Sequence, residues 1–335
     1  MKHSGDERHA VSGGKPAKRR TFSERFQRSS VQEPVQVNTD SVQIFPNLNQ
    51  EYEILDTLNT GGNAVVFTAA DRFLKRRVAL KSLKPELSKD PARRRAFLRE
   101  AQIMAQLEHP GIVPVYGIVR DPTGGLHIVM KQICGESLKD LLYRTRETYK
   151  ENRQSRQEEW KSLYDRLELL IRVCDAVAFA HSKRVLHGDL KPGNIMIEHE
   201  HDIYVMDWGN AAILEDQIDQ CILRDVISGT PSYLSPEAVR GECTDFRSEV
   251  FTLGLILFEL VTLSRAVTGK NSREILLKIR DGKRNPIRHR YGVQIAPQLR
   301  AILKKALHPD PEKRYQSVAV LAEDLRNYLT GPAGK

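Results

Sequence analysis

One short stretch of the chain, HGDLKPGN at residues 187–194, combines residue types that could transfer a phosphoryl group. Asp189 could orient or accept the proton of an attacking hydroxyl, and Lys191 could neutralise the negative charge of the phosphoryl group during its transfer. Asn194 offers an amide oxygen to a metal ion. A polar surface turn would contain the same residue types, so this stretch alone does not decide the chemistry.

A further carboxylate follows the apolar stretch in IYVMDWG. The pattern predicts a strand that ends at Asp207, immediately before a loop. A carboxylate in that place is free to coordinate Mg²⁺. Asp207 and Asn194 are therefore the two candidate metal ligands.

Lys81 ends the strand-like stretch VALK and needs an anionic partner. On the helix predicted next, Phe97, Glu100, Met104 and Leu107 fall on one face, so Glu100 is an acid on an apolar stripe. A buried carboxylate without a partner is costly, and Lys81 is the natural candidate. The alternative is a Glu100 side chain that reaches solvent.

A glycine-rich turn, LNTGGNAVVF, lies between two predicted strands. Backbone N–H groups at Gly61 and Gly62 could approach phosphate oxygens closely, because no side chain keeps the ligand away. A Gly-Gly hairpin turn explains the same residues equally well, so the motif is weak when taken alone.

The elements that must position these residues divide the chain into two lobes. Short β-branched stretches and one strong helix pattern fill residues 51–133, which predicts a small antiparallel β lobe. Residues 134–329 are mainly helical, with a charged insertion at about 143–161, and 330–335 form a short tail. The predicted class is α+β, with a ligand-binding cleft between the lobes.

The bulk composition is that of a globular protein with a basic tail. The chain has 335 residues, 40% of them hydrophobic and 28% charged, and a net charge of +9. Residues 1–28 hold eight Lys and Arg against three Asp and Glu, a surplus of five positive charges. Residues 1–50 are therefore predicted to be a disordered basic tail, either simply solvated or in contact with an acidic partner, and no specific nucleic acid is expected.

The cysteines and the apolar stretches both point to a cytoplasmic protein. Cys134, Cys174, Cys221 and Cys243 have no CxxC spacing, and no secretory leader precedes them, so reduced thiols are predicted. The longest apolar stretch, LGLILFELV, is half the length that a membrane span needs, so no transmembrane segment is predicted.

The ordered set GG…VALK…E…HGDLKPGN…DWG…GTPSYLSPE resembles a eukaryotic-type (Hanks-type) serine/threonine protein kinase over residues 51–329. LKP after Asp189 is the serine/threonine pattern, and VMDWG with HPGIVPVYG is most similar to bacterial members. The resemblance implies the two-lobed kinase fold, ATP and Mg²⁺, and transfer of the γ-phosphoryl group to Ser or Thr hydroxyls of protein substrates.

The resemblance also implies a role for each site residue. Asp189 and Lys191 are the catalytic pair, Lys81 with Glu100 holds the nucleotide phosphates, and Asn194 and Asp207 bind the metal. Other nucleotide contacts are expected from the residues over the phosphates, at the hinge and around the base: Leu58, Gly61, Gly62, Val66, Ala79, Met130, Lys131, Ile133 and Met196. Arg314 is expected to pair with Glu237 and to close the large lobe.

Several positions depart from the family pattern. Asn59 and Ala64 replace the outer glycines of the phosphate loop, which weakens the expected phosphate contacts. Trp208 replaces the usual Phe and is expected to stack against His187 and Met104. Glu249 stands where an Asp normally braces the catalytic loop, and its extra methylene puts the rigidity of that loop in question.

Gly188 is the most informative departure, because many kinases have Arg there and use it to grip a phosphate on the activation segment. The hypothesis is that activity does not require phosphorylation through this contact. Ser228, Thr230 and Ser232 remain possible acceptors, but Thr230 is expected to order the substrate site against Asp189.

Two alternatives stay open beside an active protein kinase. A small-molecule kinase is suggested by the HGD…N loop, which aminoglycoside- and choline-kinase relatives share, but those relatives generally lack the peptide platform built by the SGTPSYLSPE segment. A pseudokinase is suggested by the thinned glycine loop, Gly188 and Glu249, but it has no physical reason to keep the ion pair and both metal ligands.

Overall fold

A five-stranded antiparallel sheet forms the first lobe, with the strand order β1-β2-β3-β5-β4. The structure, a computed structural model, describes residues 35–37, 45–151, 156–198, 202–214 and 229–331. The elements of this lobe are α1 (Leu48–Glu51), β1 (Tyr52–Thr60), β2 (Ala64–Asp71), β3 (Arg77–Leu83), α2 (Pro85–Ser88), α3 (Pro91–Gln106), β4 (Val115–Arg120) and β5 (Leu126–Lys131).

Helix α3 starts and stops where the sequence places its signals. The Asp90 side chain accepts a hydrogen bond from the backbone N–H of Ala92, and Pro91 occupies the first turn, where a missing N–H costs nothing. The helix ends at Gln106, ahead of the His-Pro-Gly sequence at 109–111. Its buried face includes Phe97, Glu100 and Met104, so the predicted stripe faces the interior.

The second lobe is mainly helical, and its elements are β6 (Gly135–Ser137), α4 (Leu138–Lys150), α5 (Arg156–Ser182), β7 (Val185–Leu186), β8 (Ile195–Glu198), β9 (Asp202–Val205), β10 (Ala212–Ile213), α6 (Pro236–Arg240), α7 (Phe246–Thr262), α8 (Ser272–Arg280), α9 (Pro297–Ala306) and α10 (Val318–Thr330). Helix α7 is buried from Ser248 to Thr262 and forms the centre of the lobe. Strands β6, β8 and β9 form a small sheet, and β7 pairs with β10. The two-lobed α+β architecture predicted from the sequence, a small antiparallel β lobe with one main helix and a larger mainly helical lobe, is confirmed.

Two predicted boundaries can be compared with the described residues. The predicted tail, 1–50, includes described residues, and Val35 among them is buried against the main core; the boundary at 50 therefore falls later than the first residues that the structure describes. Within the charged segment near 143–161, residues 143–150 lie in α4 and residues 156–161 lie in α5, and residues 152–155 lie outside the described residues.

The prediction of reduced thiols is right for two cysteines and wrong for one. Cys134 and Cys174 are free, whereas Cys243 is disulfide-bonded. Cys221 lies outside the described residues. The pairing of a cysteine depends on proximity in the fold, and the absence of CxxC spacing carries no information about it.

None of the helices in the described part of the chain combines the length and the apolar character that crossing a bilayer requires. Helix α7 is the most apolar of the long helices, and the large lobe buries it.

Candidate active site

Lys81 is the centre of the candidate site, because its ammonium meets two carboxylates from different elements. Lys81 Nζ lies 2.5 Å from Glu100 Oε1 and 3.0 Å from Asp207 Oδ1. Strand β3 carries Lys81, helix α3 carries Glu100, and the end of β9 leads to Asp207. The pairing of Lys81 with Glu100 expected from the helix face is present in the structure.

In this cluster, each charged group shifts the pKa values of its neighbours. Burial alone would lower the pKa of the Lys81 ammonium, but the two carboxylates raise it above its ordinary value, so Lys81 stays cationic. Burial raises the pKa of the Glu100 carboxyl against the opposing effect of Lys81. For Asp207, burial would raise the pKa, yet the charge and hydrogen bond of Lys81, together with the charges of His187 and Lys191, hold it below the ordinary value and keep the group anionic.

A left-handed backbone conformation turns Asp207 out of strand β9. Its φ and ψ are 62° and 68°, which is uncommon for a residue with a side chain. The next residue fixes this turn: Trp208 is buried, donates from Nε1 to the Val205 carbonyl at 3.2 Å, and packs on the His187 ring with centroids 4.6 Å apart. The expected contact between Trp208 and His187 is present, but the ring planes are tilted by 48° and not stacked.

The catalytic loop holds Asp189 from several sides. Lys191 Nζ donates to Asp189 Oδ2 at 2.5 Å, while the backbone N–H and the hydroxyl of Thr230 contact Oδ1 at 2.9 and 3.1 Å. Asn194 donates its side-chain nitrogen to the Asp189 carbonyl at 2.9 Å. Asp189 is buried, so its carboxylate has a fixed place from which to meet a proton.

The donor set fits a hard cation that arrives with phosphate. The Asn194 side-chain nitrogen is used on Asp189, which leaves the amide oxygen for a metal. No cluster of three or more His, Cys, Asp or Glu in the described ranges could hold a metal by itself. Magnesium needs only one or two protein oxygens, because waters and substrate phosphates supply the rest. Asn194 and Asp207 meet that requirement.

Glu249 supports the catalytic loop from helix α7. One carboxylate oxygen accepts the backbone N–H of Gly188 at 2.7 Å, and the other lies 2.7 Å from His181 Nε2. The extra methylene relative to Asp is therefore absorbed, because both oxygens reach partners. Gly188 itself has a φ of 80°, a conformation that residues with a Cβ rarely adopt.

The residues expected around the base are only partly brought together. Met130 and Ala79 are buried in one core cluster, and Val66 and Ile133 pack against it. Ala79 pairs with Met130 across strands β3 and β5, and Val66 pairs with Lys81 across β2 and β3. Val66, Ala79, Met130 and Ile133 are thus brought together at one core cluster.

Met196 and Leu58 are not among the described members of that cluster. Met196 is half-buried in β8, where it pairs with Ser137 and Tyr204. Leu58 is 48% exposed on β1. In the glycine-rich turn, Gly61 donates its N–H to the Ala64 carbonyl at 2.9 Å, and a Cβ added at Gly62 would meet nothing within 4 Å.

The predicted closure of the large lobe is present as a buried bidentate ion pair. Arg314 Nη1 and Nη2 lie 2.6 and 2.8 Å from the two oxygens of Glu237. The Arg314 side chain is fully buried, and Ser248 donates a further hydrogen bond to Glu237 at 2.7 Å. This pair anchors α6, the helix that follows the acceptor-side segment 230–235.

Sequence reasoning missed two groups of residues near the site. Glu259 on α7 accepts a hydrogen bond from Tyr233 at 2.6 Å and pairs with Arg146 of α4 at 2.5 Å, so the charged extension of α4 is tied to the acceptor-side segment. At the hinge, Lys131 pairs with Glu198 at 2.6 Å. No sequence signal could have found these pairs, because each joins residues that are far apart along the chain.

Comparison with known proteins agrees with this geometry. The family model described as the protein kinase domain matches residues 52–325. The chain is 33% identical over 300 residues to the serine/threonine-protein kinase PknD of Chlamydia pneumoniae, which covers 84% of this chain and 31% of that protein. It is 35% identical over 291 residues to the serine/threonine-protein kinase PknB of Mycolicibacterium smegmatis, covering 86% of this chain and 44% of the relative.

The chain therefore belongs to the protein kinase family, and the resemblance to the bacterial serine/threonine members is confirmed. Use of ATP and a divalent metal ion is general in this family. The chain spans about a third of the length of the PknD relatives and under half of the PknB relative, so what those whole proteins do is not carried over directly.

Proposed function

We propose that this chain transfers the γ-phosphoryl group of Mg·ATP to Ser or Thr hydroxyls of protein substrates. The observation that carries the proposal is the placement of Lys81 within 3.0 Å of both Glu100 and Asp207. Asp189 belongs to a second group, in which Lys191 and Thr230 contact its carboxylate. Phosphoryl transfer needs this division between groups that hold phosphate and a group that meets the acceptor proton.

In the proposed reaction, Asp189 orients the acceptor hydroxyl and takes its proton. The acceptor oxygen forms a bond to the γ-phosphorus while the bond from that phosphorus to the β-bridging oxygen breaks, and ADP leaves with the electron pair. Lys191, 2.5 Å from Asp189, offsets the negative charge of the phosphoryl group, and Lys81 holds the remaining phosphates. Magnesium, held by Asp207 and Asn194, would reduce the repulsion between the phosphates and the incoming oxygen.

A protein acceptor is favoured over a small molecule by the segment that faces Asp189. Thr230 contacts Asp189 directly, Tyr233 is fixed on Glu259, and the Glu237–Arg314 pair anchors the helix that follows. This ordered platform is suited to an extended peptide beside the catalytic carboxylate.

Labelled γ-phosphate transfer from Mg·ATP to the chain itself and to a generic basic protein tests the proposal. Asp189→Asn should reduce transfer about 10²- to 10⁴-fold while the fold is kept. Asp175→Asn, in an exposed ion pair with Arg326 on α5 and α10, serves as a matched control and should transfer normally. Folded wild-type protein that binds ATP without transferring phosphate would favour the pseudokinase.

Gly188 supports a further part of the proposal. Because glycine has no side chain to bind a phosphate on the activation segment, activity does not depend on phosphorylation through a contact at this position. The segment contact to Asp189 is already made by the unmodified hydroxyl of Thr230. Ser228 lies outside the described residues. If replacement of Ser228, Thr230 and Ser232 by Ala abolished activity and acidic residues restored it, this part would be wrong.

The proposal places the reaction in the cytoplasm, where ATP is available, and leaves the basic segment 1–28 as a contact for an acidic partner. That segment lies outside the described residues. Deletion of residues 1–28 should leave transfer to a small peptide unchanged and weaken capture of an acidic protein substrate, which a binding assay at two salt concentrations would measure.

A further inference from the structure

The hinge between the lobes is held at both ends by a single side chain of the large lobe. Glu198, in strand β8, uses one carboxylate oxygen on the Lys131 ammonium at 2.6 Å and the other on the backbone N–H of Cys134 at 2.8 Å. Lys131 is the last residue of β5, and Cys134 immediately precedes β6. The two contacts therefore enclose the segment that joins the lobes.

The Lys131 end of this contact has additional support. Its ammonium lies 2.5 Å from the Tyr204 hydroxyl and 4.3 Å from the centre of the Tyr204 ring. Hydrogen bonds to Glu198 and Tyr204 raise the pKa of Lys131 to about 12 although burial opposes them, so the side chain stays charged. The Glu198 side chain is only 11% exposed, which limits screening of the pair.

After Cys134 the chain enters strand β6, which packs tightly against strand β8. Gly135 pairs with Glu198, and a Cβ at Gly135 would lie 1.8 Å from the Ile197 carbonyl oxygen. The chain that leaves the hinge thus lies directly on β8. The same strand carries Met196, which the family resemblance places against the base.

We propose that Glu198 is a positioning residue for the nucleotide base, because it fixes the hinge backbone at 131–134 to the strand that carries Met196. This inference rests on the proposed function only in taking ATP as the ligand. Removal of the Glu198 charge releases Lys131 and loosens the hinge, so contacts to the base weaken while those to the phosphates at Lys81 are retained.

The test compares binding of adenosine, inosine and a non-hydrolysable ATP analogue to the full chain by calorimetry and competition. Glu198→Gln keeps an oxygen for the Cys134 N–H but loses the charge for Lys131, and it should weaken adenosine and the analogue equally, by about tenfold. The ratio of the affinity for adenosine to the affinity for inosine should become smaller than in the wild type. Lys81→Met should show the opposite pattern, with loss for the analogue and little change for adenosine.

Two variants keep the result interpretable. Tyr204→Phe removes one hydrogen bond to Lys131 and should weaken adenosine binding about twofold. Asp175→Asn, a distant exposed ion pair, should change neither ligand nor base preference. If a variant of Glu198 proved unfolded by thermal melting, Tyr204→Phe would carry the test alone.

Wild-type binding of adenosine by Glu198→Gln, or an unchanged base preference beside a general loss of affinity, would overturn the inference. Failure of the proposed function gives a different result. Wild-type protein that binds the analogue but transfers no phosphate would contradict the proposed reaction. The affinities of Glu198→Gln and Lys81→Met for adenosine and the analogue would still test the role of Glu198. Wild-type protein that binds no nucleotide would break both.

Discussion

The catalytic loop at 187–194 and the glycine-rich turn around Gly61 and Gly62 both depart from the family pattern, but the fold holds them in different ways. In the loop, each departure has a partner: Gly188 has its N–H on Glu249, and Glu249 also reaches His181. In the turn, one backbone hydrogen bond closes the hairpin and Gly62 has open space around it. Departures at buried, connected positions need compensation, whereas those at exposed positions do not.

The largest effect is expected at Glu249 in the catalytic loop region. Glu249→Gln keeps one acceptor oxygen but presents an NH₂ group to a backbone N–H or to the imidazole nitrogen that the carboxylate now contacts. The free energy of unfolding should fall by about 1.5–3 kcal/mol, because a buried charge-assisted hydrogen bond is lost. Urea unfolding measures it, with Glu249→Asp as the variant that keeps the charge. Equal stability of wild type and Glu249→Gln would contradict the bracing role.

The pH dependence of this difference sharpens the same test. Burial would raise the pKa of Glu249, but the hydrogen bond and charge of His181, the charge of His187 and the N–H of Gly188 together hold the pKa below the ordinary value of 4.5. A carboxyl with a depressed pKa contributes stability above its unfolded pKa and loses it as the pH falls through the folded value. The gap between wild type and Glu249→Gln should therefore be full above pH 4.5 and shrink below it. If the difference in unfolding free energy between wild type and Glu249→Gln grew as the pH fell, the depressed pKa of Glu249 would be contradicted.

A smaller effect is expected at Gly188, whose φ of 80° would strain any residue with a Cβ. Gly188→Ala should cost about 1–2 kcal/mol of stability, even though the hydrogen bond to Glu249 can persist. Gly193→Ala is a matched control in the same loop, since its φ is not positive and nothing lies within 4 Å of the added Cβ. If both variants melted alike, backbone strain would not explain the glycine.

The smallest effect is expected in the glycine-rich turn. Gly62→Ala adds a methyl group to open space, so the unfolding free energy should stay within about 0.5 kcal/mol of wild type. The KM for ATP should change less than about threefold, which steady-state kinetics would measure. A large loss would mean that the turn, despite its few contacts, is as constrained as the catalytic loop.

Local patterns predicted the parts of the site that depend on local geometry. Lys81 and Glu100 were paired because a carboxylate on an apolar helix face needs a cation, and that argument requires only the helix period and burial. The Glu237–Arg314 pair followed from the family resemblance, since no local pattern joins residues 77 positions apart.

The missed contacts share a physical cause. Lys131 and Glu198 are 67 residues apart, and Arg146 and Glu259 are 113 apart, so only the packed fold brings them together. Charged residues on a strand end or a helix extension are normally solvated, and no local pattern marks these residues as exceptions. The disulfide at Cys243 escaped prediction because the absence of CxxC spacing does not show which thiols the fold brings close together.

The double contact of Lys81 has an entropic consequence. A free lysine side chain samples many rotamers, and fixing one costs up to about 2 kcal/mol. Here Glu100 and Asp207 restrict those rotamers through contacts within the fold, so the loss is part of folding and not of binding. An incoming phosphate meets an ammonium whose position is already set, and more of its interaction energy is available as affinity.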